Sequence, residues 1–316
     1  KVDQALPVGP AGSVVTVGSF DGFHLGHRVV LEENLRRARA AGRTSLLVTF
    51  DPHPLAVVNP AAAPPRLTMA EERAEVLAAT GLDVLVCLRF DRALAALSPE
   101  RFVDDVLLGR CGMRELVIGY DHGLGRGRSG DVETLRRIAA RRGFALTVVD
   151  AVDAAGQPVS STRLRQALAH GDLGTAAVLL GRPYSVSGQV VEGARRGRAL
   201  GVPTINLGGI PPEKLLPPDG VYAGIVECRA GRFGAMVNQG GRPTFGEAAR
   251  SIEAHLFGFE GDLYGQWVRL EWVERLRETR RFASVAELRA QLEQDRRRAE
   301  QVLRHLPDNH ERVMNA

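Results

Sequence analysis

Residues 14 to 27 read Val-Val-Thr-Val-Gly-Ser-Phe-Asp-Gly-Phe-His-Leu-Gly-His, and this stretch decides the fold of the first half of the chain. Val14–Val17 is a short β-branched run of the kind that forms a buried parallel strand, and Gly18 and Gly22 can turn the chain sharply after it. Apolar residues beyond Gly26 recur with helical spacing; they are Val29, Val30, Leu31, Leu35 and Ala38. The stretch therefore predicts a strand, a tight turn and a helix, with two histidines at or just before the helix N-terminus.

The turn and the start of this helix are suited to binding phosphate. A helix N-terminus attracts anions, and the imidazoles of His24 and His27 can donate hydrogen bonds to charge that develops on a transferring phosphoryl group. Such a transfer needs no covalent intermediate, and we predict that both histidines are catalytic. The predicted nucleotide-binding residues of the turn are Gly18, Phe20, Asp21 and Gly22.

A His-x-x-His pair alone indicates a metal site or ordinary surface in most proteins. Zinc is a poor alternative here, because neither Asp21 nor Glu32 nor any cysteine completes a usual ligand spacing. The strand before the histidines and the helix after them favour a nucleotide site instead.

Length and composition favour a two-domain protein of the cell interior. The chain has 316 residues, of which 44% are hydrophobic, and its three cysteines are too few and too widely spaced for a disulfide framework. No apolar run reaches membrane-spanning length and the first residues do not resemble a signal peptide, so we expect a soluble, cytoplasmic protein. The net charge is +4 and nearly all cations are Arg, which suits a nucleotide enzyme and a nucleic-acid binder equally.

Predicted strands and helices alternate from Val14 to about Gly181. The predicted strands are Val14–Val17, Ser45–Phe50, Val84–Leu88, Leu116–Ile118 and Leu146–Val149, and the predicted helices are 28–41, 70–79, 99–108, 131–142 and 162–170. This alternation predicts an α/β domain, doubly wound around a parallel sheet. Ligands bind such sheets beyond the carboxyl ends of the strands, so four segments are expected to converge there: Gly18–His27, Asp51–Pro54, Gly119–Gly127 and Ser160–Arg165.

Each of the last three segments also has a plain structural interpretation. Two prolines make 51–54 a rigid loop, the glycines of 119–127 are typical of a linker, and the hydroxyls near Ser161 can simply cap a helix. The functional alternative for the last segment adds Arg165, one turn further along, which could reach phosphates that the hydroxyls and the helix end hold.

Three motifs resemble those of a known family. Gly-x-Phe-Asp-Gly-x-His-x-Gly-His, Phe-Asp-Pro-His-Pro and Ser-Ser-Thr-x-x-Arg, in this order, are similar to the FMN adenylyltransferase module of prokaryotic bifunctional riboflavin kinase/FAD synthetases, whose module is of the HxGH nucleotidyltransferase type. The resemblance implies that His24 and His27 stabilise the transition state as the FMN phosphate attacks the α-phosphate of ATP. It also implies that Ser161, Thr162 and Arg165 hold the departing pyrophosphate.

The same resemblance indicates where FMN binds, with some departures from the family pattern. The candidates for FMN binding are Asp51, His53 and Asp121. Ser19 stands where the family usually has Asn, and His122 stands where Phe is common.

The second half changes character near Arg182-Pro183, which divides the chain into predicted domains 1–182 and 183–316. Short β-branched or aromatic runs punctuated by Gly and Pro predict a small antiparallel barrel. These runs are Tyr184–Val191, Val221–Cys228, Phe233–Val237, Ile252–Phe257 and Trp267–Trp272. An amphipathic stretch from about 284 to 306 predicts a C-terminal helix that closes the barrel.

The barrel carries motifs that resemble those of flavokinases. Residues 193–206 are similar to the flavokinase phosphate loop and its Pro-Thr-x-Asn motif, although a β-turn linker would also explain the glycines. Hydroxyl and amide oxygens suit Mg²⁺, so Thr204 and Asn206 are the predicted metal ligands. The predicted nucleotide or flavin ligands of the kinase are Gly193, Gly197, Arg198, Gly201, Pro203 and Asn238.

Residues 252–265 also resemble the flavokinase family, in which Glu253 is the matching acid, and the resemblance implies that Glu253 is the base of the kinase. Strand alternation puts Ile252 and Ala254 on one face and Glu253 on the other, so the carboxylate can point into a site while its neighbours pack. A solvated carboxylate on a strand is the alternative interpretation.

The sequence thus predicts an enzyme that phosphorylates riboflavin to FMN and adenylylates FMN to FAD, using ATP in both steps and requiring Mg²⁺. No nucleic-acid or membrane partner is expected, and the oligomeric state is not determined. Ile205 and Gly258, where the family usually has Ala and Asp, leave open an adenylyltransferase with an inactive kinase barrel. An RNA-binding barrel using Arg195, Arg196 and Arg198 is the other alternative, although no aromatic residues interleave them to stack bases.

Overall fold

The structure is a computed structural model that describes residues 6–193, 202–241 and 250–306. The chain forms two compact units, and a five-stranded parallel sheet lies at the centre of the first, Lys1–Ser161. Its strands are β1 (Ser13–Val17), β2 (Thr44–Asp51), β3 (Val84–Arg89), β4 (Met113–Gly119) and β5 (Ala145–Val149). The strand order is β3-β2-β1-β4-β5, and every residue of the central β1 is buried. The predicted parallel α/β domain is confirmed.

Helices cover both faces of this sheet. They are α1 (Leu25–Ala41), α2 (Pro54–Val58), α3 (Ala70–Ala78), α4 (Arg92–Ala95), α5 (Pro99–Arg101), which continues as a π-helix (Phe102–Leu108), and α6 (Val132–Arg142). Val15 and Val17 pack with the π-helix and α6 on one face, whereas Leu47 packs with α1 and α3 on the other. The period-2 alternation of each strand thus builds two core layers.

The second unit, Thr162–Ala316, contains a closed antiparallel barrel. Its strands are β8 (Tyr184–Val191), β9 (Ile205–Gly208), β10 (Gly220–Cys228), β11 (Gly231–Gly241), β12 (Arg250–Leu256) and β13 (Trp267–Arg277). The short strands β6 (Asp153–Ala154) and β7 (Gln157–Pro158) form a separate hairpin in the first unit. The barrel order is β10-β11-β12-β9-β8-β13. The predicted barrel is confirmed, but β9 was not predicted because it is only four residues long and includes Asn and Gly.

Two further helices precede the barrel. They are α7 (Ser161–Ala169) and α8 (Leu173–Leu180), of which α8 was not predicted from the sequence. Helix α8 packs against β8 and β13, so it belongs to the barrel unit. The compact units divide between Ser161 and Thr162, and the domain boundary at 182/183 stays a prediction.

The last described helix, α9 (Val285–Arg304), closes the barrel as expected. Its N-cap Ser284 accepts a hydrogen bond from the backbone N–H of Glu287 at 3.1 Å. Asp295, only 4% exposed, accepts both Nε and Nη2 of Arg277 on β13 at 2.7 to 3.0 Å, which fixes the helix to the strand. Among the described residues, no helix combines the length and the apolar character needed to cross a membrane.

We predict that the barrel unit depends on α8 for much of its stability. The buried residues of α8 are Leu173, Ala176, Leu179 and Leu180. Exposing a buried leucine costs roughly 1.5–3 kcal/mol, so a fragment 183–316 should unfold at least about 10 °C below a fragment 162–316. Thermal unfolding followed by circular dichroism would measure the difference, and equal midpoints would contradict it.

Candidate active sites

The loop after β1 is held by a buried carboxylate. Asp21, 1% exposed, accepts hydrogen bonds from the backbone N–H groups of Leu67 and Thr68 at 2.9 to 3.1 Å, and from the Thr68 hydroxyl at 3.2 Å. The same hydroxyl accepts from the N–H of Gly22 at 3.0 Å. Asp21, predicted to bind nucleotide, therefore lies in a network that shapes the loop, because a buried carboxylate must be paired in this way.

Two buried phenylalanines also determine the path of this loop. Phe20 and Phe23 have φ angles of 47° and 42°, in the left-handed region that non-glycine residues rarely adopt, and both are less than 7% exposed. Their rings pack with Leu31 and Leu47 in the core layer under α1. Core packing thus holds a strained turn in one conformation, as is common at functional sites.

The two predicted catalytic histidines lie side by side at the start of α1. His24 is the N-cap and is 6% exposed, and its Nδ1 accepts the backbone N–H of His27 at 3.3 Å. The neutral ring of His24 therefore carries its proton on Nε2. The two rings stack with centroids 3.7 Å apart and an interplanar angle of 13°.

Gly26 leaves room for this arrangement. A Cβ atom at this position would lie 3.3 Å from Cε1 and Nδ1 of His24 and 3.6 Å from the carbonyl oxygen of Val159. The glycine of the His-x-Gly-His motif is thus explained by the close approach of the His24 ring to the helix backbone.

The predicted pyrophosphate ligands begin at the end of the first unit. The Ser161 hydroxyl donates a hydrogen bond to the backbone carbonyl of Asp21 at 3.0 Å, and both residues belong to the first unit. Thr162, exposed, and Arg165, half-buried, follow on α7 in the second unit. The structure thus brings Ser161 to the histidine loop.

The predicted FMN candidates Asp51 and His53 lie at the carboxyl end of β2. Asp51 Oδ1 accepts Nη1 of Arg66 at 2.9 Å, and His53 caps α2 by accepting the N–H of Leu55 at 3.2 Å. Arg73, 2% exposed, donates through Nη1 to the carbonyl of Ser19 and through Nη2 to that of Phe50. The two arginines therefore border the same edge of the sheet as the histidine loop.

Sequence analysis missed Arg66, Thr68 and Arg73. Their partners lie 15 to 54 residues away along the chain, so no local pattern marks them. Polar residues between predicted strands and helices are too common to identify a site, so the sequence offered no other signal for these three.

The third FMN candidate, Asp121, lies in the exposed loop after β4. Its backbone carbonyl accepts Nη2 of Arg128 at 2.9 Å. The neighbouring His122 has a buried Nε2 atom to which no described residue hydrogen-bonds. Burial, and secondarily the charge of Arg128, lowers the pKa of His122 to about 4, so this ring is neutral at pH 7.

In the barrel, three predicted kinase residues share one cross-strand row. Asn206 on β9 lies directly opposite Glu253 on β12, which lies opposite Asn238 on β11. Directly paired residues project from the same face of a sheet, so the three side chains lie together. Glu253 is half-buried, and no described residue hydrogen-bonds to its carboxylate, while Ile252 and Ala254 are buried on the opposite face.

The chemistry of this row fits a magnesium ion. Asn206 is 6% exposed, and its buried Oδ1 atom has no hydrogen-bond partner among the described residues. An amide oxygen is a hard ligand of the type that Mg²⁺ accepts, and the hydroxyl of Thr204 lies two residues before it. Gly193 lies against this side chain, and a Cβ atom there would overlap Nδ2 of Asn206.

The remaining kinase candidates are described only in part. Pro203 is exposed, and its carbonyl lies 2.7 Å from Nδ1 of His255. Gly197, Arg198 and Gly201, together with Arg195 and Arg196 of the RNA-binding alternative, lie outside the described residues.

A cleft of about 390 Å³ lies between the barrel and α9, and two residues of its lining, Met236 and His255, are each two positions from a member of the row, Asn238 and Glu253. Its lining residues are Val202, Met236, His255, Arg289, Leu292, Glu293 and Arg296. Hydrogen bonds from Arg296 and Arg297 lower the pKa of Glu293 to about 2, so this carboxylate is ionised at neutral pH. The lining combines apolar side chains with charged ones, and the volume lies at the low end of the range for small-molecule sites.

Fold and geometry together define an HxGH-type nucleotidyltransferase unit joined to a flavokinase-type barrel. A family model described as FAD synthetase matches residues 7–163, and one described as riboflavin kinase matches residues 180–303. The bifunctional riboflavin kinase/FMN adenylyltransferase of Escherichia coli strain K12 is 36% identical over 286 residues, 90% of each chain. The protein of that name from Bacillus subtilis strain 168 is 35% identical over 294 residues, 92% of each chain. The chain belongs to the bifunctional riboflavin kinase/FMN adenylyltransferase family.

A solved structure shares the fold over nearly the whole length. The structure titled as a macrolide-efflux protein from Streptococcus pneumoniae superposes with a TM-score of 0.83 at 30% identity, covering 95% of this chain and 97% of that one. Its title gives that protein an activity different from those of the curated relatives. The similarity therefore supports the two-unit fold, and the function of this chain rests on the family matches.

We predict that Gly26→Ala impairs FAD formation without weakening the fold. The added Cβ would push the His24 ring by a few tenths of an ångström, and small misplacements of catalytic groups reduce rates by roughly tenfold or more. Ala is also the better helix former, so the melting temperature should not fall. FAD formation from FMN and ATP, with thermal unfolding alongside, measures both effects.

The matched control is Gly174→Ala. Gly174 is likewise the second residue of its helix, α8, and a Cβ there would make only an ordinary contact, 3.7 Å from Oδ1 of Asp172. If Gly26→Ala and Gly174→Ala form FAD equally fast, the close contact at His24 does not matter for the reaction.

Proposed function

We propose that this chain makes FAD from riboflavin in two steps, with the kinase site in the barrel and the adenylyltransferase site at the β1 loop. The main support for the proposal is that each of the two segments matched by a family model contains its own group of polar candidate site residues. The stacked histidines lie at the start of α1, and the Asn206–Glu253–Asn238 row lies on the barrel. Each reaction therefore has a separate set of residues.

In the adenylyltransferase step, an oxygen of the FMN phosphate attacks the α-phosphorus of ATP. A new P–O bond forms as the bond to pyrophosphate breaks, and negative charge builds up on the oxygens of the transferring group. The imidazole N–H groups of His24 and His27, held side by side in the stack, donate hydrogen bonds to this charge. Ser161, Thr162 and Arg165 hold the departing pyrophosphate.

In the kinase step, the 5′-hydroxyl of riboflavin attacks the γ-phosphorus of ATP and ADP departs. Glu253 accepts the hydroxyl proton, which an alcohol does not lose unaided at neutral pH. Thr204 and Asn206 would hold Mg²⁺, which would neutralise charge on the ATP phosphates when bound. The cleft beside the row receives the isoalloxazine ring, with Val202, Met236 and Leu292 as its apolar surface. ATP and both flavins are the expected small-molecule partners, and their use points to the cytoplasm.

We predict that replacing His24 and His27 together by Ala blocks the second step only. Removing a preorganised donor typically lowers a rate by about 10² or more, so FAD formation should nearly stop while riboflavin is still phosphorylated. FMN should then accumulate from riboflavin, ATP and Mg²⁺, as chromatographic separation of the flavins would show.

His170→Ala serves as the control, because His170 is exposed at the end of α7 and caps no loop of either site. If the double histidine variant loses kinase and adenylyltransferase activity equally, the histidines do not belong to one reaction.

We predict that Glu253→Gln affects the kinase step only. Glutamine keeps the shape of the side chain but cannot take the proton, so kcat for riboflavin phosphorylation should fall by about 10²–10⁴. The KM for ATP should change little, since Thr204 and Asn206 are unaltered, and adenylylation of supplied FMN should proceed at the parental rate. Steady-state kinetics of the two half-reactions on one preparation would measure all three quantities.

Glu227→Gln, on β10 of the same barrel, is the matched control, because Glu227 is paired with Arg269 outside the row. If Glu253→Gln keeps more than about a third of the kinase kcat, the proton goes elsewhere and Glu253 is not the base.

A further inference from the structure

Arg66 carries a buried guanidinium that is only partly paired. Its side chain is 9% exposed, and its Nη1 donates to Oδ1 of the half-exposed Asp51 at 2.9 Å. Nε and Nη2 are buried as well, and no described residue accepts a hydrogen bond from either atom. Buried donors are paired in the great majority of cases, so this pair of atoms requires an explanation.

The two atoms form the planar fork with which arginine binds oxyanions. Elsewhere in this protein, Arg36, Arg142 and Arg277 present the same Nε/Nη2 fork to a carboxylate at 2.7 to 3.0 Å. Arg66 is different because Asp51 occupies only Nη1 and leaves the fork to another group. The fork matches the two oxygens of a carboxylate or a phosphate.

The position of Arg66 connects it to the histidine loop. Leu67 and Thr68, which follow it directly, donate the hydrogen bonds that fix Asp21, three residues before His24. Arg73 holds the carbonyl of Ser19 in the same loop. Burial lowers the pKa of Arg73, and the charge of Arg66 lowers it further, which is consistent with two guanidinium groups close together at this edge of the sheet.

We propose that the Nε/Nη2 fork of Arg66 binds the phosphate of FMN during adenylylation. The proposal rests on the proposed adenylyltransferase function and names a binding residue for it. A fork that holds two phosphate oxygens leaves the third oxygen free to attack the α-phosphorus of ATP, with pyrophosphate as the leaving group. Asp51 fixes the plane of the guanidinium, and the two free N–H groups of the fork match two oxygens of a phosphate monoester.

The test is Arg66→Met in the full-length protein, with FMN and ATP varied separately. A charge-assisted bidentate contact is usually worth about 10- to 100-fold in affinity, so the KM for FMN should rise by that factor. The KM for ATP should stay within about threefold, since ATP makes no contact with the fork. Riboflavin phosphorylation should be unchanged, because the substitution lies in the first unit.

Two further variants keep the test decisive. Arg66→Lys retains the buried charge beside Asp51 but not the fork, so a smaller rise in the KM for FMN is expected even if Arg66→Met folds poorly. Arg142→Met removes a fork that is already bound to Asp104 and is exposed, so it should alter neither constant.

Each outcome of this experiment decides the proposal. A selective rise in the KM for FMN supports it, whereas an unchanged KM for FMN in both Arg66 variants overturns it. A rise confined to ATP, or an equal rise for both substrates, also overturns it and indicates that the fork binds the nucleotide or only shapes the loop. If the parent protein forms no FAD at all, the adenylyltransferase function itself is wrong, which is a separate result.

Discussion

The adenylyltransferase loop depends on the buried carboxylate of Asp21. Three donors on Leu67 and Thr68 converge on it, and they bring a segment 46 residues away against the turn that follows β1. A carboxylate removed from water requires such partners, so the loop and the segment must fold together. The turn then keeps Phe20 and Phe23 at positive φ, and His24 emerges as the cap of α1. The geometry of the two histidines therefore follows from a contact that contains neither of them.

The two units bring their candidate site residues together in different ways. In the parallel sheet, loops at the carboxyl ends of neighbouring strands lie side by side, so residues far apart in sequence collect at one edge. In the barrel, strand register brings the candidate residues together, because the pairings of β12 place Glu253 between Asn206 and Asn238. A shift of β12 by one residue would turn the carboxylate of Glu253 into the barrel interior. The position of this carboxylate beside Asn206 therefore depends on the register between β9 and β12.

Arginine side chains have several structural roles in this chain, which has only two lysines. Many arginines pair with carboxylates one turn away on exposed helix faces, where an ion pair contributes little to stability. Arg277 is different, because its Nε and Nη2 both donate hydrogen bonds to the buried Asp295 and so fix α9 to the barrel. Arg73 is buried too, and it bonds backbone carbonyls rather than a carboxylate. The setting of each guanidinium, rather than its presence, determines its effect.

The sequence by itself determined the element types, the two-unit architecture and the positions of the motifs, because periodicity, turn residues and cap residues are local properties. It anticipated that His24 and His27 begin a helix and that Glu253 faces away from the barrel core, since both depend on spacing within one element. It did not identify Arg66, Thr68 or Arg73, and it missed β9 and α8. The former act through partners 15 to 54 residues away, and β9 is a strand only because β8 and β12 flank it. Only the tertiary structure could determine these contacts, because long-range hydrogen bonds and strand pairing depend on distances that no local pattern encodes.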